Sequence, residues 1–373
     1  MAVPKGPITT PLTELFGIRH PIILAGMARV SGGALAAAVT NAGGMGVIGG
    51  FMYTPQQLRD HIAEMKAALR DPENAAFGID LALPQVGGGA RKTNHDYTGG
   101  RLDELIDITI ESGARLFVSA VGVPPPHVVD RLHAAGILVM NMVGHPKHAR
   151  KALDAGVDLV CAQGGEGGGH TGDIASSVLI PAVADIARRY RPALLARKLG
   201  RPDQTALLVA AGGISRGRSL AAALMQGATG VWVGTRFVAC AEAGCSEEHK
   251  RAVVGCEHEA TERTLVLTGR PCRVLTNEYV ARWHGQPERI RELCDKGVVP
   301  IEHDWDNGVE DADMPHVMGQ VAGAIDRIQT AAEIVQEMVD EAAETLRQGA
   351  GYLSGSSGGG RGSAGPEGAR SRL

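Results

Sequence analysis

A single histidine stands at the end of a run of glycines. Leu159 to Ala162 is an apolar segment of strand type, and Gln163-Gly164-Gly165-Glu166-Gly167-Gly168-Gly169-His170-Thr171-Gly172 follows it directly. Glycines at this density let backbone approach a ligand closely and adopt φ above zero without penalty. A loop entered from a buried strand is a common address for active-site groups. An imidazole with an ordinary pKa near ~6.5 can take a proton or orient a substrate at neutral pH. The stretch reads as a cofactor platform with a built-in general base, His170. Glu166 reads as an acceptor for backbone N–H groups of its own loop.

Three further glycine sites follow apolar runs: Ala25-Gly26-Met27, Ala211-Gly212-Gly213-Ile214 and Val233-Gly234-Thr235-Arg236-Phe237. Gly212, Gly213 and Gly234 offer backbone N–H groups, and Thr235 adds a hydroxyl. Donors of this kind, at the start of a helix, cradle a phosphate. Cys240, Cys245, His249, Cys256 and His258 fall close together, but their spacing matches no paired zinc pattern, so no metal is expected.

These groups need a scaffold to hold them. Apolar runs at 22–25, 46–48, 77–81, 116–120, 138–142, 159–162, 206–210 and 231–233 alternate with helical patterns at 33–41, 55–69, 102–112, 125–134, 146–155, 177–190 and 216–226. Several helices stop at a glycine: Gly43, Gly113, Gly136, Gly156 and Gly227. Alternation of this kind makes parallel βαβ units with right-handed crossovers. Eight units predict a closed α/β fold, a (β/α)8 TIM barrel. An open doubly wound sheet is the alternative, but no G-x-G-x-x-G follows the first strand. Barrel active sites lie at the C-terminal strand ends, which puts the four glycine sites on one rim.

The rhythm breaks after the eighth strand. Residues 239–314 read as a smaller, mainly helical insertion capping the barrel mouth. A capping box of Thr330 and Glu333 then starts an apolar stripe of Ile334, Val335, Met338, Val339, Ala342 and Leu346, the eighth barrel helix. The barrel domain is thus 11–238 plus 315–350. The Gly/Ser/Arg tail, 354–373, carries too little apolar surface to fold and is expected to be disordered.

Composition narrows the partners. The net charge is −4 with no basic block, which argues against nucleic acid. No apolar run is long enough for a membrane span. No signal-peptide pattern opens the chain and the six cysteines are scattered, so a cytoplasmic protein with reduced thiols is expected. Aromatics are only 3% and glycines number 51, which suits close helix-on-strand packing. Nothing in the sequence marks an oligomeric state.

The four glycine segments, in this order, resemble the nitronate monooxygenase (2-nitropropane dioxygenase) family from about Pro11 to Leu346. The resemblance implies a TIM barrel that binds FMN. It implies that Gly212, Gly213, Gly234 and Thr235 hold the phosphate, that Ala25, Gly26 and Met27 lie along the isoalloxazine, and that Gln163, Gly168 and Gly169 stand near it. His170 matches the family's catalytic histidine. Two positions depart from the family pattern: Gly167 stands where many members have Ala, and Asp80 where many have Asn. An ionised Asp80 would place negative charge near the flavin and disfavour its anionic reduced form. His145, after the fifth strand, is a further candidate neighbour of the flavin. Gly319-Gln320-Val321-Ala322-Gly323 either faces the flavin or packs helices.

The implied activity is oxidation of alkyl nitronates or nitroalkanes with O2, with His170 as base or orienting group. The long glycine loop also resembles FMN-dependent enoyl reductases of the same superfamily. They imply the alternative, an NAD(P)H-linked reductase or dehydrogenase of an acyl thioester. A phosphate-binding aldolase without flavin would use a Schiff-base lysine at a strand end, and none of the eight carries one.

Overall fold

The computed structural model describes residues 5–354. Helix α1 (Pro11–Phe16) begins at a Thr10 capping box and stops at Gly17, whose φ is 65°. It is followed by β1 (Ile22–Leu24), α2 (Gly33–Asn41), β2 (Gly46–Gly49), α3 (Pro55–Ala68), β3 (Phe77–Ala82) and α4 (Leu102–Glu111). Next come β4 (Leu116–Ala120), α5 (Pro126–Ala134), β5 (Leu138–Val143), α6 (Pro146–Asp154), β6 (Leu159–Gln163) and the short β7 (Gly169–His170). Then follow α7 (Ser176–Ala187), α8 (Ala193–Leu199), β8 (Leu207–Ala211), α9 (Gly217–Met225) and β9 (Gly230–Val233).

Eight of these strands form one parallel sheet in the order β1, β9, β8, β6, β5, β4, β3, β2. Its two ends meet. The Leu24 N–H donates to the Met45 carbonyl and the Met45 N–H to that of Ile22, each at 2.9 Å. Closure makes the fold a (β/α)8 TIM barrel and excludes the open sheet. Each barrel strand lies within one residue of the apolar run that marks it in the sequence.

Alternate residues of each strand face two different cores. On β6, Val160 and Ala162 join the outer core under the helices. Leu159 and Cys161 point into the barrel with Val118, Met140, Val209 and Trp232. The same inner core takes Leu12 and Phe16 from α1 and Leu194 and Leu195 from α8. These two short helices lie before β1 and β8, so they plug the N-terminal end of the barrel. Neither is long enough to show a helical period in the sequence.

Beyond β9 lie α10 (Thr235–Val238), α11 (Glu247–Val254), β10 (Thr261–Thr264), β11 (Cys272–Leu275), α12 (Glu278–His284), α13 (Pro287–Lys296) and α14 (Pro300–Asp306). The strands are a surprise in a segment read as mainly helical. They form an antiparallel ribbon, and β11 also pairs with β7. A separate core of Val266, Val274, Val280, Trp283, Leu293 and Ile301 holds this region together. A 3-10 turn at Gln320–Ala324 leads to α15 (Ala331–Ala350), which packs on α9 and α2. Gly217 permits that contact, because a Cβ there would overlap the backbone of α15 at Ala342. Residues 355–373, where disorder is expected, lie outside the described residues. Among the described residues no helix is long and apolar enough to cross a membrane.

Candidate active site

The glycine stretch after β6 is pinned on every side. Its Gln163 side chain donates to the carbonyls of Gly168 at 3.1 Å and His170 at 3.2 Å. The Gly164 N–H donates to Ala211 on β8 at 3.0 Å, and Thr171 Oγ1 to the Gly164 carbonyl at 2.8 Å. From the ribbon, Arg273 Nε donates to the Gly165 carbonyl at 3.0 Å and Arg263 pairs with Asp173. Glu166 does not serve its own loop. Its carboxylate accepts from the N–H and hydroxyl of Ser176 at the start of α7, where negative charge suits the helix dipole. His170 therefore belongs to a strand and not to a free loop: Cys272 of β11 stands opposite it and Arg273 opposite Gly169.

The half-buried imidazole has two neighbours that the sequence did not flag. His170 Nε2 lies 2.9 Å from Thr268 Oγ1. Arg270, two residues on, spans the barrel mouth: Nη1 donates to Asn94 Oδ1 at 2.8 Å and Nη2 to the Val121 carbonyl at 3.1 Å. Val121 holds φ at 69°, a left-handed conformation that a β-branched residue rarely takes. No carboxylate pairs with Arg270 among the described residues. Burial first, and the Arg270 charge second, push the His170 pKa down to about 4. The ring is neutral at pH 7, and the ordinary value assumed from the sequence does not apply.

On the opposite side of the mouth, Gly212 and Gly213 take φ of 88° and 71° at the end of β8. No hydrogen bond within the described residues takes up the N–H groups of Gly212, Gly213, Gly234 or Thr235. Neither α9 nor α10 has a side-chain cap. Four free N–H groups beside two uncapped helix starts match the donor set of a phosphate. The Thr235 hydroxyl accepts from the Gly319 N–H at 3.0 Å and keeps its own proton to donate.

The end of β1 adjoins this cradle. The Ala25 N–H donates to the Val233 carbonyl at 2.9 Å. A Cβ on Gly234 would sit 3.4 Å from the Ala25 Cβ and 3.5 Å from Met27 Sδ. Gly168 meets the 319–323 segment, since its Cβ would come within 2.7 Å of the Gly319 nitrogen. Gly323 packs on His258, so both glycines of that segment serve close packing.

Asp80 lies under Gly26, where any Cβ would overlap its carboxyl group. It is buried, its Oδ1 has no partner, and desolvation raises its pKa to about 8. Asp80 is thus a neutral acid at pH 7. His145 caps α6, its Nδ1 accepting from the Lys147 N–H at 3.1 Å. Among the described residues no group of His, Cys, Asp or Glu is arranged to hold a metal.

The geometry can be set beside known proteins. The family model of nitronate monooxygenase matches residues 9–341. A nitronate monooxygenase of Paraburkholderia phytofirmans is 31% identical, over 90% of this chain and 96% of its own. The 5-hydroxy-7a-methyl-1-oxo-octahydro-1H-indene-4-carboxyl-CoA dehydrogenase of Mycobacterium tuberculosis is 35% identical, over 74% of this chain and 68% of its own. Among solved structures, FabK from Thermotoga maritima superposes with a TM-score of 0.73 at 29% identity, covering 93% of this chain and all of its own. The chain belongs to the nitronate monooxygenase family and is a flavin-dependent oxidoreductase.

Proposed function

We propose that this member of the family binds FMN at the barrel mouth and oxidises alkyl nitronates with O2. Gly212, Gly213, Gly234 and Thr235 would hold the phosphate through the free N–H groups and the hydroxyl. Ala25, Gly26, Met27, Asp80, Gln163, Gly168 and Gly169 would complete the surroundings of the flavin. When bound, the flavin supplies the electron-accepting centre that side chains lack.

The observation that carries the choice of substrate is the charge at the mouth. A neutral His170 beside a guanidinium without a carboxylate partner suits a substrate that arrives as an anion, and a nitronate is one. A ring whose protonated form is this disfavoured is a poor acceptor for the α-proton of a neutral nitroalkane. His170 is better suited to orient a preformed nitronate by a hydrogen bond. Arg270 would balance the charge of the bound anion. The pinned glycine segment would keep the ring in place without reorganisation.

The second reading is an FMN-dependent, NAD(P)H-linked reductase or dehydrogenase of an acyl thioester. Similarity to the CoA-thioester dehydrogenase and to FabK favours it. Under it, His170 would hydrogen-bond the thioester carbonyl. One anaerobic experiment separates the two. The purified protein should be yellow and release FMN on denaturation, and a nitronate should bleach it rapidly while NADH and NADPH do not. Bleaching by a pyridine nucleotide alone would transfer the site to the second reading. A colourless protein that refuses added FMN would sink both. His170→Ala should keep the flavin yet lose about 10²–10⁴-fold in turnover.

A further inference from the structure

The ribbon loop between β10 and β11 reaches the candidate site through Thr268. Its hydroxyl stands between two groups: His170 Nε2 at 2.9 Å and the Arg270 carbonyl at 3.4 Å. The 2.9 Å contact is within hydrogen-bond range and the 3.4 Å contact is beyond it, so the Thr268 hydroxyl proton is directed to Nε2, which accepts. The proton of the neutral ring then sits on Nδ1. Among the described residues Nδ1 has no partner, and it is not sealed from solvent.

We propose that Thr268 is a positioning residue: it fixes His170 as the Nδ1–H tautomer and leaves Nδ1–H as the donor to an acceptor-only substrate such as a nitronate. The insertion thereby sets the state of an imidazole that belongs to the barrel. Other charged or titratable groups stand on the elements around the ring. Arg273 is tied to Gly165, Asp173 to Arg263, and Glu166 to Ser176, while Cys272 lies opposite on β11. Arg270 is the charged group that acts on His170 ionisation.

The role in turnover rests on the nitronate reading, but the tautomer does not. The experiment therefore reads the imidazole directly, by 15N chemical shifts of the holoenzyme, with His170→Asn assigning the signal. The wild type should show a protonated Nδ1 and a bare Nε2, neutral from pH 5.5 to 8. Thr268→Val should give a mixture of tautomers and about a ten-fold lower kcat with nitronate, the loss of one hydrogen bond's worth of orientation. Thr268→Ser should restore both. Arg270→Met should shift the ring's titration upward by about one unit. A wild-type ring protonated at Nε2, or a Thr268→Val variant with the same tautomer as wild type, would overturn the proposal. A wild type that turns over no nitronate would defeat only the functional reading, and the shifts would still decide the tautomer.

Discussion

The two ends of the barrel treat buried polar groups in opposite ways. At the N-terminal end, α1 and α8 close the interior with Leu12, Phe16, Leu194 and Leu195. The buried carboxylate there, Asp158, accepts from the Val139 N–H at 2.9 Å and meets His133 Nε2 at 2.8 Å, both through Oδ2. At the mouth, among the described residues, Asp80 has no partner for Oδ1, four N–H groups are free, and Arg270 lacks a carboxylate. Unsatisfied groups destabilise a fold unless something else satisfies them. One end is finished mainly by the chain itself, and under the FMN reading the other is completed by the flavin. Among the described residues, two groups at the closed end are exceptions: His20, buried with neither ring nitrogen partnered, and Oδ1 of Asp158.

Substitutions at the two ends should therefore fail differently. The largest effect belongs to Gly213→Val. A β-branched residue at φ 71° is strained, and its side chain would occupy the cradle. Flavin retention should be lost, as read by absorbance of the purified protein. Gly234→Ala is the milder version, because the apo packing tolerates a Cβ at 3.4 Å from Ala25. It should keep the wild-type melting temperature and lower FMN affinity. Full flavin content in both variants would move the phosphate elsewhere and remove the contrast.

Leu12→Ala, at the closed end, should do the reverse. It empties a fully buried site in the plug and should cost about 2–5 kcal/mol in denaturant unfolding. FMN stoichiometry should stay unchanged at temperatures where the fold persists. A flavin loss in parallel with stability would show that the ends are not independent.

The effect of Asp80→Asn depends on pH. The folded state holds the Asp80 proton up to about 8, whereas the free side chain gives it up near 3.8. A raised folded-state pKa gives stability that is present below the lower value and is lost as pH rises toward the upper one. Asn does not titrate, so the variant should gain on the wild type steadily between pH 4 and 8 and level off above. Melting curves across that window test it. A constant difference would mean that Asp80 is already ionised when buried.

The sequence made the barrel legible because its signals are local. Glycines at helix ends such as Gly43 and Gly227, with φ of 96° and 100°, and apolar runs between them mark each unit without reference to any other. The cradle was legible for the same reason, since Gly212, Gly213, Gly234 and Thr235 each follow a strand directly. Thr268, Arg270 and Asn94 were not. Thr268 meets a residue 98 positions away, and Arg270 one 176 positions away. A Thr-Gly-Arg run in a segment of unread fold carries no sign of those distances. The states of His170 and Asp80 were hidden too, because desolvation depends on how deeply neighbouring elements bury a group.

The pairing of β7 with β11 also imposes a timetable. A nascent chain leaves the ribosome N-terminus first, at about 5–20 residues per second. His170 emerges 98 residues ahead of Thr268, a delay of roughly 5–20 s at that rate. Every barrel strand has been synthesised by Val233, before either strand of the ribbon. The barrel can close around its interior while the imidazole still lacks its clamp. A product truncated before Cys272 would carry the histidine without the strand that holds it.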